Sequence, residues 1–164
     1  MEATKIRRNS TGILQILCSA TLFILVASCN NGNVDAYREE IIKADKEFSD
    51  YSVEHGMKAA FLAYADERVI MLRDNHYPAV GKNRLDSLFG SLDDSSFTLS
   101  WEPMDAISSR SGDLGFSYGT YSMSLKGDST VERGTYVSVW ARQESGAWKY
   151  VLDSGNTGLG ETED

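Results

Sequence analysis

From Ser96 onward the chain is organised as four long apolar-rich runs, about 97–108, 114–126, 131–143 and 147–154, and in two of them the alternation changes phase partway. The segments between them, Ser109-Arg110-Ser111-Gly112-Asp113, Lys126-Gly127-Asp128-Ser129 and Glu144-Ser145-Gly146, have the turn chemistry of antiparallel hairpins. In the first run the large apolar residues are Phe97, Leu99 and Trp101, at odd positions, whereas beyond Pro103 they are Met104 and Ala106, at even ones. In the second run Phe116 and Tyr118 are even, and Tyr121, Met123 and Leu125 are odd, so the change falls at Gly119-Thr120. A period-two pattern changes phase when one residue is inserted, which is what a β-bulge does while bending and twisting its strand. A hairpin turning near residue 111 sets Pro103 opposite Gly119, so the two defects lie side by side. A bend line across neighbouring strands curls the sheet into a half-open cone with an interior pocket, which helices must plug from the concave side.

The first half supplies those helices. Asp35 is placed to cap a helix in which Tyr37, Ile41, Ala44, Phe48 and Tyr51 recur at spacings of three and four, ending by Gly56. Met57 to Tyr64 reads as a second, shorter helix with Met57, Ala60, Phe61 and Tyr64 on one face. Val69-Ile70-Met71-Leu72 fits a buried strand, Asn75-His76-Tyr77-Pro78 a turn, and Gly81 to Gly90 a third short helix with Leu85, Leu88 and Phe89 inward. Helices first and a meander after predict an α+β domain: a cone-shaped, strongly curved, mostly antiparallel sheet with about three N-terminal helices on its concave side.

Ahead of this domain, residues 12–29 form an uncharged apolar run that follows Lys5, Arg7 and Arg8 and stops at small residues before Cys29. That is the layout of a secretory signal. Val26-Ala27-Ser28-Cys29 resembles a bacterial lipobox, which implies cleavage after residue 28 and lipidation of Cys29. An uncleaved anchor would need about 20 apolar residues, and this run is broken by Gln15, Ser19 and Thr21. Ordinary secretory cleavage would instead leave Cys29 as a free thiol. The expected organisation is a cleaved signal over 1–28, the lipidated cysteine and a short tether over 29–33, one domain over 34–156 and a flexible acidic tail over 157–164. Removing residues 1–28 leaves 13 basic against 23 acidic residues, a net charge of −10. Such a surface repels nucleic acid, so the expected partner is the membrane that holds the lipid, in the cell envelope. Asn30 is not the aspartate that retains lipoproteins in the inner membrane, which points to the outer one. A lipidated Cys29 leaves no thiol for a disulfide, a thiolate metal site or a nucleophile.

Gly134-Thr135-Tyr136-Val137-Ser138-Val139-Trp140 and Gly146-Ala147-Trp148-Lys149-Tyr150-Val151-Leu152-Asp153, following helices packed into a curled sheet, resemble the nuclear-transport-factor-two-like superfamily. Ala65-Asp66-Glu67-Arg68-Val69 and Gly81-Lys82 are similar to its SnoaL-like branch, domain of unknown function 4440, and the resemblance spans residues 34–156. The superfamily includes ketosteroid isomerases, polyketide cyclases, dehydratases and noncatalytic binding domains, among which fold does not choose. Isomerase chemistry needs an Asp base, a Tyr and a protonated Asp. The resemblance carries those positions onto Leu72, near Phe48 and near Val139, all apolar, with Asp74 two residues from the first. It therefore implies that this chemistry is absent unless Asp74 substitutes.

The remaining candidates come from residue type and place. His76, on the loop after the first strand, has the chemistry of a general base, or is a solvated loop histidine. Asp153, near the end of the last strand, is either a pocket acid with a raised pKa or the ion-pair partner of Arg133 or Arg73. Trp101, Tyr118, Tyr136 and Trp140 suggest an aromatic pocket for a small apolar ligand, with Tyr64 at its mouth; each alone also suits core packing or a dimer face. Glu54-His55 point in different directions on a helix, no His, Cys and carboxylate cluster has metal spacing, and no phosphate-binding loop precedes a helix, so no cofactor is expected. Three functions compete on this basis: a lipid-anchored ligand-binding domain, a dehydratase or cyclase using His76 or Asp153, and a homodimer paired through the sheet.

Overall fold

The computed structural model describes residues 34–127 and 131–160. The expected signal sequence, Cys29, the tether through Asn33 and the last four residues of the acidic tail lie outside the described residues. Within them the chain runs α1 (Val34–His55), α2 (Met57–Tyr64), β1 (Ala65–Leu72), β2 (Ala79–Val80), α3 (Lys82–Leu88), β3 (Phe97–Ser108), β4 (Leu114–Leu125), β5 (Val131–Arg142) and β6 (Trp148–Thr157). The six strands form one sheet in the order β2-β1-β6-β5-β4-β3, antiparallel except where β1 runs parallel to β6. This is the expected α+β cone. Three local readings change. Asp35 sits inside the first turn of α1 rather than capping it. β1 starts at Ala65, directly after α2, because Ala65 already pairs with Tyr150. The Asn75–Pro78 turn leads into a two-residue strand whose Ala79 and Val80 pair with Met71 and Ile70.

The bend at Pro103 is where the phase places it. Pro103 pairs with Gly119 and Asp105 with Tyr118, so Met104 is the extra residue. Buried positions accordingly pass from Phe97, Trp101 and Pro103 to Ala106 and Ser108, and Met104 is thrown to the outside. The expected second flip in β4 is absent: its pairing with β5 is unbroken from Leu114 to Ser124. Its inward residues stay odd throughout, and Phe116 and Tyr118 belong to the outer face. Phe116 lies in an outer row in which Ile107, Phe116, Val139, Leu152 and Ile70 follow one another across five strands. A strand apolar on both faces mimics a phase change. The true second bulge is in β6, where Val139 pairs with Leu152 and Trp140 with Tyr150, leaving Val151 over. It turns the inward set from Trp148 and Tyr150 to Asp153.

α1 covers the free edge of β3, antiparallel to it. Ser52 donates to the Leu99 carbonyl (2.9 Å) and Ser49 accepts from the Trp101 amide (2.8 Å), satisfying edge groups that would otherwise invite another strand. Farther along, Lys46 pairs with Glu102 at 2.8 Å, Arg38 donates to Asp105 at 2.6 Å, and Ser108 donates to the Val34 carbonyl at 3.2 Å. The rungs match because the two elements are commensurate: α1 rises about 27 Å from Val34 to Ser52, and β3 spans about 30 Å from Leu99 to Ser108.

The bend needs glycine at its crossing point, since a Cβ on Gly119 would lie 2.1 Å from the Glu102 carbonyl oxygen. Gly119→Ala should therefore cost about 2 kcal/mol, as overpacking against backbone does, read as a lower urea midpoint. An unchanged midpoint would show that the strands part freely at Pro103.

Candidate functional site: a cavity with one carboxyl in its wall

The concave face of the sheet and the helices enclose a cavity of about 350 Å³. Its walls are mostly apolar: Phe48 from α1, Met57 and Phe61 from α2, Met71 from β1, and Leu99 and Trp101 from β3. Phe48 is the hub of the rings, with centroids 4.5 Å from Trp101, 4.9 Å from Phe61 and 5.3 Å from Tyr150. The polar wall is Tyr136 and Ser138 from β5 and Asp153 from β6, while Arg73, Asp74, His76 and Glu132 stand at the exposed rim.

Asp153 faces inward because Val151 is left out of the ladder; paired in register, Val151 would stand opposite Val139 and Leu152 would take the place opposite Ser138. Across the ladder from it, the Ser138 hydroxyl donates to Oδ2 at 2.6 Å. Burial pushes the Asp153 carboxyl up to about 7, with the Ser138 bond opposing, the Asp45 charge adding and Arg73 opposing from a distance. Among the described residues no ion pair joins Asp153 to Arg73 or Arg133, so the ion-pair alternative does not describe this group. Arg73 instead lies over the Phe89 ring at 5.9 Å.

Behind this wall is a carboxylate that sequence reasoning missed. Asp45, on the inward stripe of α1 with Ile41, Phe48, Ser49 and Ser52, is fully buried. Trp101 Nε1 donates to its Oδ1 at 2.7 Å and the Tyr136 hydroxyl to its Oδ2 at 2.8 Å. Ser117 also bonds to it and in turn accepts from Trp140 Nε1 at 2.8 Å. Burial raises the Asp45 pKa, and the bonds from Ser117, Trp101 and Tyr136 oppose the rise. Burial and the neighbouring Asp45 charge together push the Tyr136 phenol up. The sequence signal was available: Asp45 falls four residues after Ile41 and three before Phe48, on the apolar face of a helix where a carboxylate needs donors.

Of the residues selected from sequence, the structure brings His76, Trp101, Tyr136 and Asp153 to the cavity and leaves three elsewhere. Tyr118 is on the outer face, 42% exposed, because β4 has no bulge. Trp140 is inward but fully buried, its indole committed to Ser117. Tyr64 stacks on Phe48 at 5.0 Å and otherwise faces a shallow groove where Lys149 lies over its ring at 5.4 Å. His76 is an exposed rim residue, its Nδ1 2.8 Å from the Asp74 carbonyl oxygen. Leu72 and Phe48 do line the cavity, with no carboxylate or phenol to offer there. Val139 is on the outer row, so the inward residues flanking it are Ser138 and Trp140. Among the described residues no three His, Cys, Asp or Glu are grouped to hold a metal ion.

A carboxyl whose pKa rises from 3.8 in the unfolded chain to about 7 in the fold holds its proton better when folded. Stability therefore falls as pH climbs from about 3.8 to about 7 and levels off beyond. Asp153→Asn removes this penalty, so its stability relative to the parent should grow over that window, by up to about 4 kcal/mol. Urea denaturation at a series of pH values checks it, and a difference that stays flat across the window would show that Asp153 ionises normally.

No family model and no curated protein matches the chain, but solved structures do. A ketosteroid isomerase-like protein from Erwinia carotovora atroseptica is 15% identical with a TM-score of 0.56, over 71% of this chain and 93% of its own. A nuclear transport factor 2-like superfamily protein from Salmonella enterica serovar Typhimurium is 14% identical with a TM-score of 0.60, over 79% and 99%. An LEH-like epoxide hydrolase from M. tuberculosis is 10% identical with a TM-score of 0.53, over 74% and 84%. At these identities the likeness speaks for architecture, and with the bent sheet and its plugging helices it leads to one conclusion: the described chain is an α+β domain with the nuclear-transport-factor-2-like cone fold.

Proposed function

We propose that this chain is an envelope lipoprotein of the SnoaL-like branch, anchored through Cys29, whose domain holds one small, largely apolar molecule. The observation that carries the binding reading is the aromatic cavity of about 350 Å³ with the Asp153 carboxyl in its inner wall. A volume at the small end of ligand sites suits a body of one or two rings. Placing polar groups in such a cavity costs stability unless a ligand uses them. A second reading, proton-transfer catalysis of the dehydratase or cyclase kind, is favoured by one observation, the Asp153 carboxyl raised to about 7 in an apolar wall. In either reading His76 serves at the rim and the wall itself acts through Asp153.

Calorimetric titration with a panel of one- and two-ring apolar compounds tests the binding reading, with Leu99→Trp as the variant that fills the space. We expect saturable binding by the parent and at least about tenfold weaker binding by the variant. Recovery of the bound compound unchanged separates binding from turnover, and a panel in which nothing binds would sink both. For the anchor, Cys29→Ser should shift the protein from the membrane to the soluble fraction. A variant that stays with the membrane would exclude lipid at this cysteine.

A further inference from the structure

The hydrogen-bond directions around the cavity are fixed by two groups that can only donate. An indole N–H has no acceptor role, so Trp101 Nε1 must give to Asp45 and Trp140 Nε1 must give to Ser117. Ser117, already accepting, turns its own proton to Asp45. The Tyr136 hydroxyl also gives its proton to Asp45, at 2.8 Å. On the remaining polar walls Ser138 gives its proton to Asp153 and Tyr121 gives its proton to Glu132, at 3.2 Å. The indole and hydroxyl protons of Trp101, Tyr121, Tyr136 and Ser138 are thus spent on the protein, and the other donors of the lining, Arg73, His76 and Thr157, stand at the exposed rim. What remains facing the space is lone pairs: those of Tyr136 and of the Asp153 carboxyl, diagonal neighbours on the inward side of the β5–β6 ladder.

A wall whose inner part offers acceptors, with its donors at the rim, selects a ligand by the hydrogens that ligand brings to the interior. Two further features favour a positively charged donor. The rings of Phe48, Phe61 and Trp101 line the same space, and aromatic faces attract cations. The chain carries a net charge of −8, which draws cations toward the mouth. We infer that the cavity takes a small apolar amine, bound as its ammonium by the Asp153 carboxylate and the Tyr136 oxygen with its hydrocarbon body among the rings. This rests on the reading of the cavity as a small-molecule site and names the class of molecule it selects.

Ionisation of Asp153 is then part of recognition. Its carboxyl is raised to about 7, so it is largely neutral below that pH and offers its own proton to a ligand acceptor. Amine binding therefore tightens as pH rises through about 7, while binding of a neutral carbonyl compound to the protonated acid would weaken. The groups facing Asp153 are Asp45 on α1, Arg73, Asp74 and His76 on and after β1, Tyr121 on β4, Glu132 and Tyr136 on β5, and Tyr150 on β6. His76 is another titratable group in the lining, so it is tested separately.

The experiment is calorimetric titration of the full chain with 1-naphthylmethylamine, 1-naphthylmethanol and 1-acetonaphthone at about pH 5.5 and about pH 8.5. We expect the amine to bind about tenfold or more tightly at the higher pH, and there more tightly than the alcohol or the ketone. Asp153→Asn should lose both the preference and the pH dependence, whereas His76→Gln should keep them. The parent's own pH dependence stands whether or not a variant folds. An amine no tighter than the alcohol at either pH, a ketone favoured at both, or a pH dependence lost in H76Q and kept in D153N would each overturn the inference while leaving a small-molecule site. Failure of all three compounds to bind would overturn the site itself.

Discussion

Asp45 is the knot on which the rest of the structure depends. A carboxylate at the centre of a protein is tolerated only where donors replace water, and here they come from three strands: Trp101 on β3, Ser117 on β4 and Tyr136 on β5. The helix and the bent part of the sheet therefore share one charge. Each donor is also a large or well-fixed group, so satisfying the charge sets the rings around it. Trp101 and Tyr136, positioned from behind, become the cavity's wall, and the ladder of serines and ion pairs along α1 keeps the helix in register with β3.

Much of the fold was legible because it is written in local patterns. The strand runs, the hairpin turns, the bounds of α2 and the pairing of Pro103 with Gly119 all follow from period, turn chemistry and a count of residues. The misreadings share a cause. Phe116 and Tyr118 are apolar on the outer face, so alternation in β4 lost its meaning. In β6, Tyr150, Val151 and Leu152 are consecutive apolar residues, which leave no trace of an inserted one.

The candidate site was legible to the same degree. His76, Trp101, Tyr136 and Asp153 reach the cavity, because the odd phase of β3 before its bulge, the even phase of β5 and the first loop all deliver side chains there. Tyr118 and Trp140 were chosen by residue type, which cannot say whether a ring lines space or fills it. Asp45 was overlooked because a carboxylate between apolar neighbours on a helix reads as part of the solvated flank. Its partners lie 56 and 91 residues away along the chain. Long-range satisfaction of a buried charge is a property of the fold, and no window of sequence contains it.

The Val151 bulge has a consequence for how such a domain can change its work. Everything up to Tyr150 is anchored by Trp148 and Tyr150 in the core, and everything beyond reads out into the cavity in the phase the bulge sets. Drawing Val151 into the ladder would set Leu152 opposite Ser138 and exchange an acid for a leucine in the wall, with the composition, every turn and every other strand untouched. The chemical character of the interior is thus held as a frame, in the sense that a reading frame is, and not as a residue type. Within one unchanged scaffold, a greasy container and an acid-bearing one are a single bulge apart.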